Sequence, residues 1–192
     1  MTTSCRSVVV ALAGRRADAP DTGPPSFPAA HRGAVAEAIR ARLADGSAIA
    51  LVCSAACGAD LLAIEAARDL AIRFRIVLPF DKDRFRATSV ADRPGEWGEL
   101  FDRACAEAEA AGDLVVLGLD GSEAAAYART TAVILDEGEA LAAAAGADRV
   151  AIAVWEGPRP DGDDFTKQFV DEATARGWRL AEISTARTIA DP

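Results

Sequence analysis

Residues Leu51 to Ala67 read LVCSAACGADLLAIEAA: an apolar run stops at Ser54, small residues follow, and Gly58-Ala59-Asp60 opens a helical pattern. An acid among alanines and leucines needs a physical reason. At 100° per residue, Asp60 shares a face with Ile64, Ala67 and Ala71, while Glu65, Arg68 and Asp69 fall on the other side. In the first turn its carboxylate can accept from the free backbone N–H groups and gain about 0.3–1 kcal/mol from the helix dipole. It either caps its own helix, or it orients the turn and accepts from a ligand hydroxyl. Gly58 has a steric rationale. A helix start offers donors to an anion, and a residue without Cβ lets phosphate approach the backbone, although turn geometry or tight helix-on-sheet packing also calls for glycine. Ser54 adds a hydroxyl, and Cys57 and Ala59 complete the same turn.

Arg15 and Arg16 follow Gly14 at the end of another apolar run. Two guanidiniums there suit a phosphate or a carboxylate, which Arg pairs in a bidentate way; solvated surface charge is the alternative. The chemistry indicated is the holding of a small phosphorylated ligand. Gly-x-Gly-x-x-Gly and the P-loop are both missing, so the ordinary dinucleotide and triphosphate fingerprints do not apply. No catalytic residue is assigned. Glu65 falls on the wet face, His31 has no nameable partner, and Trp97, Trp155 and Trp178 read as packing residues.

The elements that must position these residues alternate between short apolar runs and longer helical patterns. Strands are expected over Ser7–Ala13, Ala48–Cys53, Phe74–Leu78, Leu114–Leu119, Arg149–Trp155 and Trp178–Ile183. Helices are expected over His31–Ala44, closed by Asp45-Gly46, and over Ala59–Ile72, Pro94–Ala110, Ser122–Gly146 and Phe165–Arg176. A flexible loop spans 14–30. A second, over 79–95, is long enough to act as a lid, with Arg84, Arg86, Thr88 and Ser89 able to close over a ligand. A short tail spans 184–192. Continuous apolar strands between helices predict a three-layer, doubly wound α/β fold, with a mainly parallel six-stranded Rossmann-like sheet in the order 3-2-1-4-5-6. Ligands then sit where the winding reverses, between the first and fourth strands, at Gly14–Arg16, Ser54–Asp60 and Leu119–Ser122.

At 192 residues, 51% of them hydrophobic, a single domain over 1–192 is expected, burying about 70% of its unfolded surface. The net charge of −9 argues against general nucleic-acid binding and against an anionic membrane, since phosphate contacts need clustered Lys and Arg. No leader and no bilayer-length apolar run is read, so a cytoplasmic location is expected. Cys5, Cys53, Cys57 and Cys105 are scattered and read as reduced thiols; with one histidine, no metal site is expected.

Ala13-Gly14-Arg15-Arg16 after the first strand, then VCSAACGADLLAIEAA and FRIVLPF, resemble the Rossmann-like SLOG superfamily, which includes the LOG phosphoribohydrolases, the DprA/Smf DNA-processing proteins and bacterial nucleotide sensors. Members show Gly-Ser-Arg, matched here by Gly14 and Arg16 with Arg15 replacing serine. They also show Ser-Gly-x-x-x-Gly-x-Asp, matched by Ser54, Gly58 and Asp60 with Ala55 replacing glycine. The later VAIAVWEG and TKQFVDEA resemble the family's fifth-strand region more loosely and add Gly157 and Thr166 to the binding set. The resemblance implies binding or sensing of a nucleotide or nucleotide-derived molecule, with no further cofactor and with a second copy or an effector protein as partner. The hydrolase motif Pro-Gly-Gly-x-Gly-Thr-x-x-Glu is not reproduced, Phe169 standing at its glutamate, so binding without turnover is expected and nucleotide hydrolysis is the alternative.

Overall fold

The run VVVALAG forms a strand at Val8–Gly14 (β1), whose side chains alternate between two apolar layers. Val8, Val10 and Leu12 face one cluster, while Val9 and Ala11 face the other. A strand buried on both faces belongs at the centre of a parallel sheet, and β1 takes that place. The computed structural model describes residues 6–20, 23–45, 47–120, 122–159 and 162–186. Gly46, Cys5 and the tail beyond 186 lie outside the described residues, as do positions 21 and 22 of the first loop.

After β1 come α1 (Arg32–Asp45), β2 (Ala48–Cys53), α2 (Ala59–Asp69), β3 (Arg73–Leu78), α3 (Lys82–Ser89) and α4 (Trp97–Ala110). The chain continues through β4 (Leu114–Val116), α5 (Glu123–Ala145), β5 (Asp148–Trp155), α6 (Phe165–Ala175) and β6 (Arg179–Ser184). All five strand pairings are parallel. Helices α1, α2 and α4 cover one face through residues such as Ile39, Ile64 and Phe101, and α5 and α6 cover the other through Ile134, Leu135 and Phe169. This is the expected three-layer Rossmann-like architecture.

Its strand order is 4-3-2-1-5-6, so β4 lies outside β3 and not between β1 and β5. The reason is burial. The position beside β1 must be apolar on both faces, and the last six residues of β5, Val150–Trp155, are all buried. Strand β4 has three residues, all partly exposed, and Val116 is 45% exposed, which suits an edge. Helix α5 then has to travel from that edge back to β5, across four strand spacings of about 4.8 Å. Its 23 residues reach about 34 Å. The winding therefore reverses between β1 and β5, and α5 is carried across the carboxyl end of β1.

The expected lid loop contains a helix. Asp81 caps α3 by accepting from the Arg84 N–H at 2.9 Å, and Phe85 is buried against Phe101 with ring centroids 5.9 Å apart. Only Phe85 and Ser89 of the eight residues are buried, too few to write a helical period into the sequence. In the 14–30 segment, the Asp18 carboxylate accepts from the Ser26 and Phe27 N–H groups at 3.0–3.2 Å, and Phe27 is buried. Trp97, Trp155 and Trp178 are buried packing residues, as expected.

Candidate functional site

The two bends expected to form the site meet at the same end of the sheet. Arg16 and Gly58 form an antiparallel bridge, framed by Ala17 N–H donating to the Cys57 carbonyl and Ala59 N–H to the Arg15 carbonyl, each at 3.1 Å. Gly58 has φ of 112°, and a Cβ there would lie 2.6 Å from both Ala17 N and Arg15 O. At Gly14 a Cβ would meet the Ala59 Cβ at 2.5 Å and the Val154 Cβ at 2.7 Å. Both glycines thus let backbone pack on backbone. The Ala59 N–H, a natural anion donor at the start of α2, is spent on Arg15.

Arg15 is 4% exposed, and its guanidinium is occupied by partners within the protein. Its Nε donates to Glu156 at 2.6 Å, its Nη1 and Nη2 to Asp164 at 2.7 and 3.0 Å, and Nη2 also to the Gly157 carbonyl at 2.6 Å. Asp164 also caps α6 by accepting from Lys167 N–H at 3.0 Å, and accepts from Arg159 N–H at 2.9 Å. Burial opposes its charged form, yet Arg15 and these two N–H groups hold the carboxyl down at about 2. This guanidinium pins the β5–α6 connection to the end of β1.

Beside the paired bends lies a cavity of about 430 Å³, floored by residues 12–18 and walled by α3, α5 and the start of α6. A volume of this size is that of a small-ligand site, and it stands beyond the carboxyl end of β1, where the winding reverses. Of the ten residues expected to bind, Gly14, Arg15, Arg16, Ser54, Asp60 and Thr166 line it. Cys57, Gly58 and Ala59 belong to the paired bends but do not line the cavity, and Gly157 faces a separate groove under α1 and β6.

Arg16 lines the cavity and is the less fully engaged of the two adjacent guanidiniums. Its Nη2 pairs with Asp92, while its Nε is buried without a hydrogen-bond partner. Arg93, which lines the cavity too, donates from Nε to the Ala17 carbonyl at 3.0 Å and shares Asp92 at 2.6 Å. A fourth lining arginine, Arg159, donates to Ser26 Oγ at 2.9 Å. Asp60 is buried, and its Oδ2 accepts from the Ala56 N–H at 3.2 Å. Gly58, not Asp60, stands at the helix cap, so the acid stitches the turn before α2. Burial pushes its carboxyl up to about 7, the Ala56 N–H offsetting part of the rise. Burial also raises the Cys57 thiol, against the neighbouring Arg16, which leaves it protonated and inert.

Sequence reasoning missed the wall contributed by α5. Tyr127, Thr130, Thr131 and Ile134 share one helical face over the cavity, and Phe165 opens α6 beside them. The signal was present: spacings of three, four and seven place two threonines and a tyrosine on one side of an alanine-rich helix. Ser89 Oγ bonds the Tyr127 hydroxyl at 2.6 Å, which ties α3 to α5. Thr88 and Ser89 do line the cavity, whereas Arg84 lies over the Phe80 ring and Arg86 pairs with Asp102 at 2.8 Å. Glu65 is paired with Arg68 and Arg103 on the outer surface of α2. His31 Nδ1 meets the Thr185 carbonyl at 2.7 Å, away from the site.

No protein-family model matches the chain, and no curated protein matches it. Among solved structures it is similar to the X-ray structure of DNA processing protein A (DprA) from Streptococcus pneumoniae, at 16% identity with a TM-score of 0.42. The match covers 90% of this chain and 57% of that one. A likeness of this degree carries no inference about function, and the Rossmann-like architecture stands on the sheet itself. The expectation of no general nucleic-acid binding is withdrawn: the matched structure is titled a DNA processing protein, and the charge on which the expectation rested does not exclude such binding. A charge of −9 is a sum over the whole chain and does not describe any one face of it. Among the described residues, no helix is long and apolar enough to cross a membrane, and no three His, Cys, Asp or Glu side chains are grouped to hold a metal ion.

Proposed function

We propose that this chain binds a nucleotide or nucleotide-derived small molecule, without turning it over, in the manner of the SLOG superfamily that its motifs resemble. One observation carries the reading: a cavity of about 430 Å³ at the reversal of winding, reached by Arg16, Arg93 and Arg159 and by the Ser54, Thr130 and Thr166 side chains. Guanidiniums recognise phosphate, and hydroxyls suit ribose. Binding without turnover is favoured because Phe169, at the position where the resemblance would place a catalytic glutamate, is fully buried in the layer beneath α5 and α6.

The test is a thermal-shift and calorimetric screen of nucleoside mono-, di- and cyclic phosphates, with product analysis of the same mixtures. A ligand at 100 times its Kd stabilises by about 2.7 kcal/mol, a shift of roughly 5–10 °C for a domain of this size. A melting temperature indifferent to the whole panel would refute the proposal. A second reading, nucleotide hydrolysis, is favoured by Asp60: a buried acid lining the cavity with its carboxyl near 7 is suited to proton transfer at neutral pH. Release of free base, ribose phosphate or inorganic phosphate in those mixtures would establish hydrolysis in place of sensing.

A further inference from the structure

Two aromatic side chains meet on the cavity wall: Tyr127, which packs against the core, and Phe165, which the core does not explain. Phe165, the first residue of α6, is half-buried, lines the cavity, and belongs to neither of the apolar clusters that hold the sheet between its helices. Its ring neighbour is Tyr127, with centroids 5.5 Å apart and planes inclined at 49°. Tyr127 is itself fixed in place. Its hydroxyl is engaged by Ser89 Oγ at 2.6 Å, and Phe80 meets it edge to face with centroids 5.8 Å apart. With the hydroxyl already bonded, what Tyr127 has left to offer the cavity is ring surface.

The arginines gather elsewhere on the lining. Arg16 and Arg93 share Asp92 and are tied to the bend after β1, and Arg159 reaches toward the same segment through Ser26. The aromatic pair comes from the opening turns of α5 and α6. One part of the lining therefore carries guanidiniums, held beside Asp92 and Glu156, and another is aromatic. A phosphorylated sugar would use only the first, whereas a planar base has a π-face for the second.

We infer that Tyr127 and Phe165 form a stacking wall for the base of the bound nucleotide while Arg16, Arg93 and Arg159 receive its phosphate, so that the base is required for binding. This rests on the nucleotide-binding reading and adds which part of the ligand the second wall recognises. Phe165 is the stronger probe of the two, because its removal leaves the Ser89–Tyr127 bond in place and touches neither apolar cluster.

The experiment is calorimetric titration of the full chain with AMP, GMP, CMP and UMP, each compared with ribose 5-phosphate and with inorganic phosphate, on the wild type and on Phe165→Leu. At least one nucleotide is expected to bind roughly tenfold or more tightly than ribose 5-phosphate. Phe165→Leu is expected to remove that advantage and to leave ribose 5-phosphate unchanged. Equal binding of ribose 5-phosphate and every nucleotide overturns the stacking wall while leaving a phosphorylated-ligand site standing. Unchanged nucleotide affinity in Phe165→Leu also overturns it. Should the variant not fold, the wild-type comparison alone decides. If none of the probes binds, the stacking wall and the underlying reading fall together.

Discussion

Replacing Arg15 by methionine separates a binding residue from a pinning residue, because sequence and structure give this guanidinium opposite jobs. Methionine keeps most of the length and apolar contact of the side chain and removes its charge and donors. Glu156 and Asp164 would then be stranded, with Asp164 only 7% exposed. Breaking a buried ion pair by deleting one partner costs about 3–5 kcal/mol, the cost being the uncompensated buried charge that remains. For a chain of this length that corresponds to a melting temperature lower by roughly 6–20 °C. Urea denaturation at pH 7, with fluorescence of the three tryptophans as the probe, measures it directly. The pH dependence supplies a second reading. The Asp164 carboxyl sits at about 2 against an ordinary 3.8, so its contribution is complete above about pH 4 and is lost as pH falls through 2. In Arg15→Met only the backbone N–H groups of Arg159 and Lys167 still oppose burial at Asp164, the stranded carboxyls take up protons more readily, and the deficit relative to wild type narrows as pH falls from 7 toward 4. Adding Asp164→Asn should recover part of the loss at neutral pH. A variant that melts like the wild type yet no longer binds any nucleotide would refute this reasoning and return Arg15 to the ligand.

Arg16→Ala should do the reverse, weakening nucleotide binding about tenfold or more with little change in melting temperature, since its one ion pair is partly exposed; calorimetry beside a thermal melt checks both halves. Gly58→Ala should cost stability: the new Cβ lies 2.6 Å from two backbone atoms of the bend that floors the cavity, at a φ of 112°, and strain alone is worth about 1–3 kcal/mol, readable in a urea titration. Asp60→Asn keeps an acceptor for Ala56 N–H and removes a titration. The wild-type carboxyl, raised from 3.8 to about 7, costs increasing stability as pH rises between those values, so the variant should gain in melting temperature over that window. By the same logic, wild-type affinity for an anionic ligand should fall as pH rises through about 7 and flatten in Asp60→Asn, as followed by titration at a series of pH values.

Much of the fold was legible because its signals are local. A strand with both faces buried is a continuous apolar run, and the caps Ser122 and Gly146 mark the ends of α5 in the sequence and in space. Helix α3 was illegible because a charged segment with one buried aromatic carries no period. Of the candidate site, Ser54, Asp60 and Arg16 were readable as types at a turn, and all three line the cavity. Tyr127 and Phe165 were not placed there, because each reaches it from a helix whose position depends on how β4 and β5 pair, and Arg93 reaches it from the loop after α3, a helix the sequence did not show.

By itself the sequence determined the number and kind of the elements along the chain, the mainly parallel sheet, and the end of the sheet where small residues and charge collect. Tertiary structure decided which neighbour β4 takes and which of two adjacent arginines faces outward. Neither could be read locally. The β3–β4 pairing is a competition among strands for the doubly buried position, which the apolar length of β5 wins. Arg15 turns inward because the fold brings it two carboxylates from 141 and 149 residues away, and Arg16, one residue on, is left to the cavity.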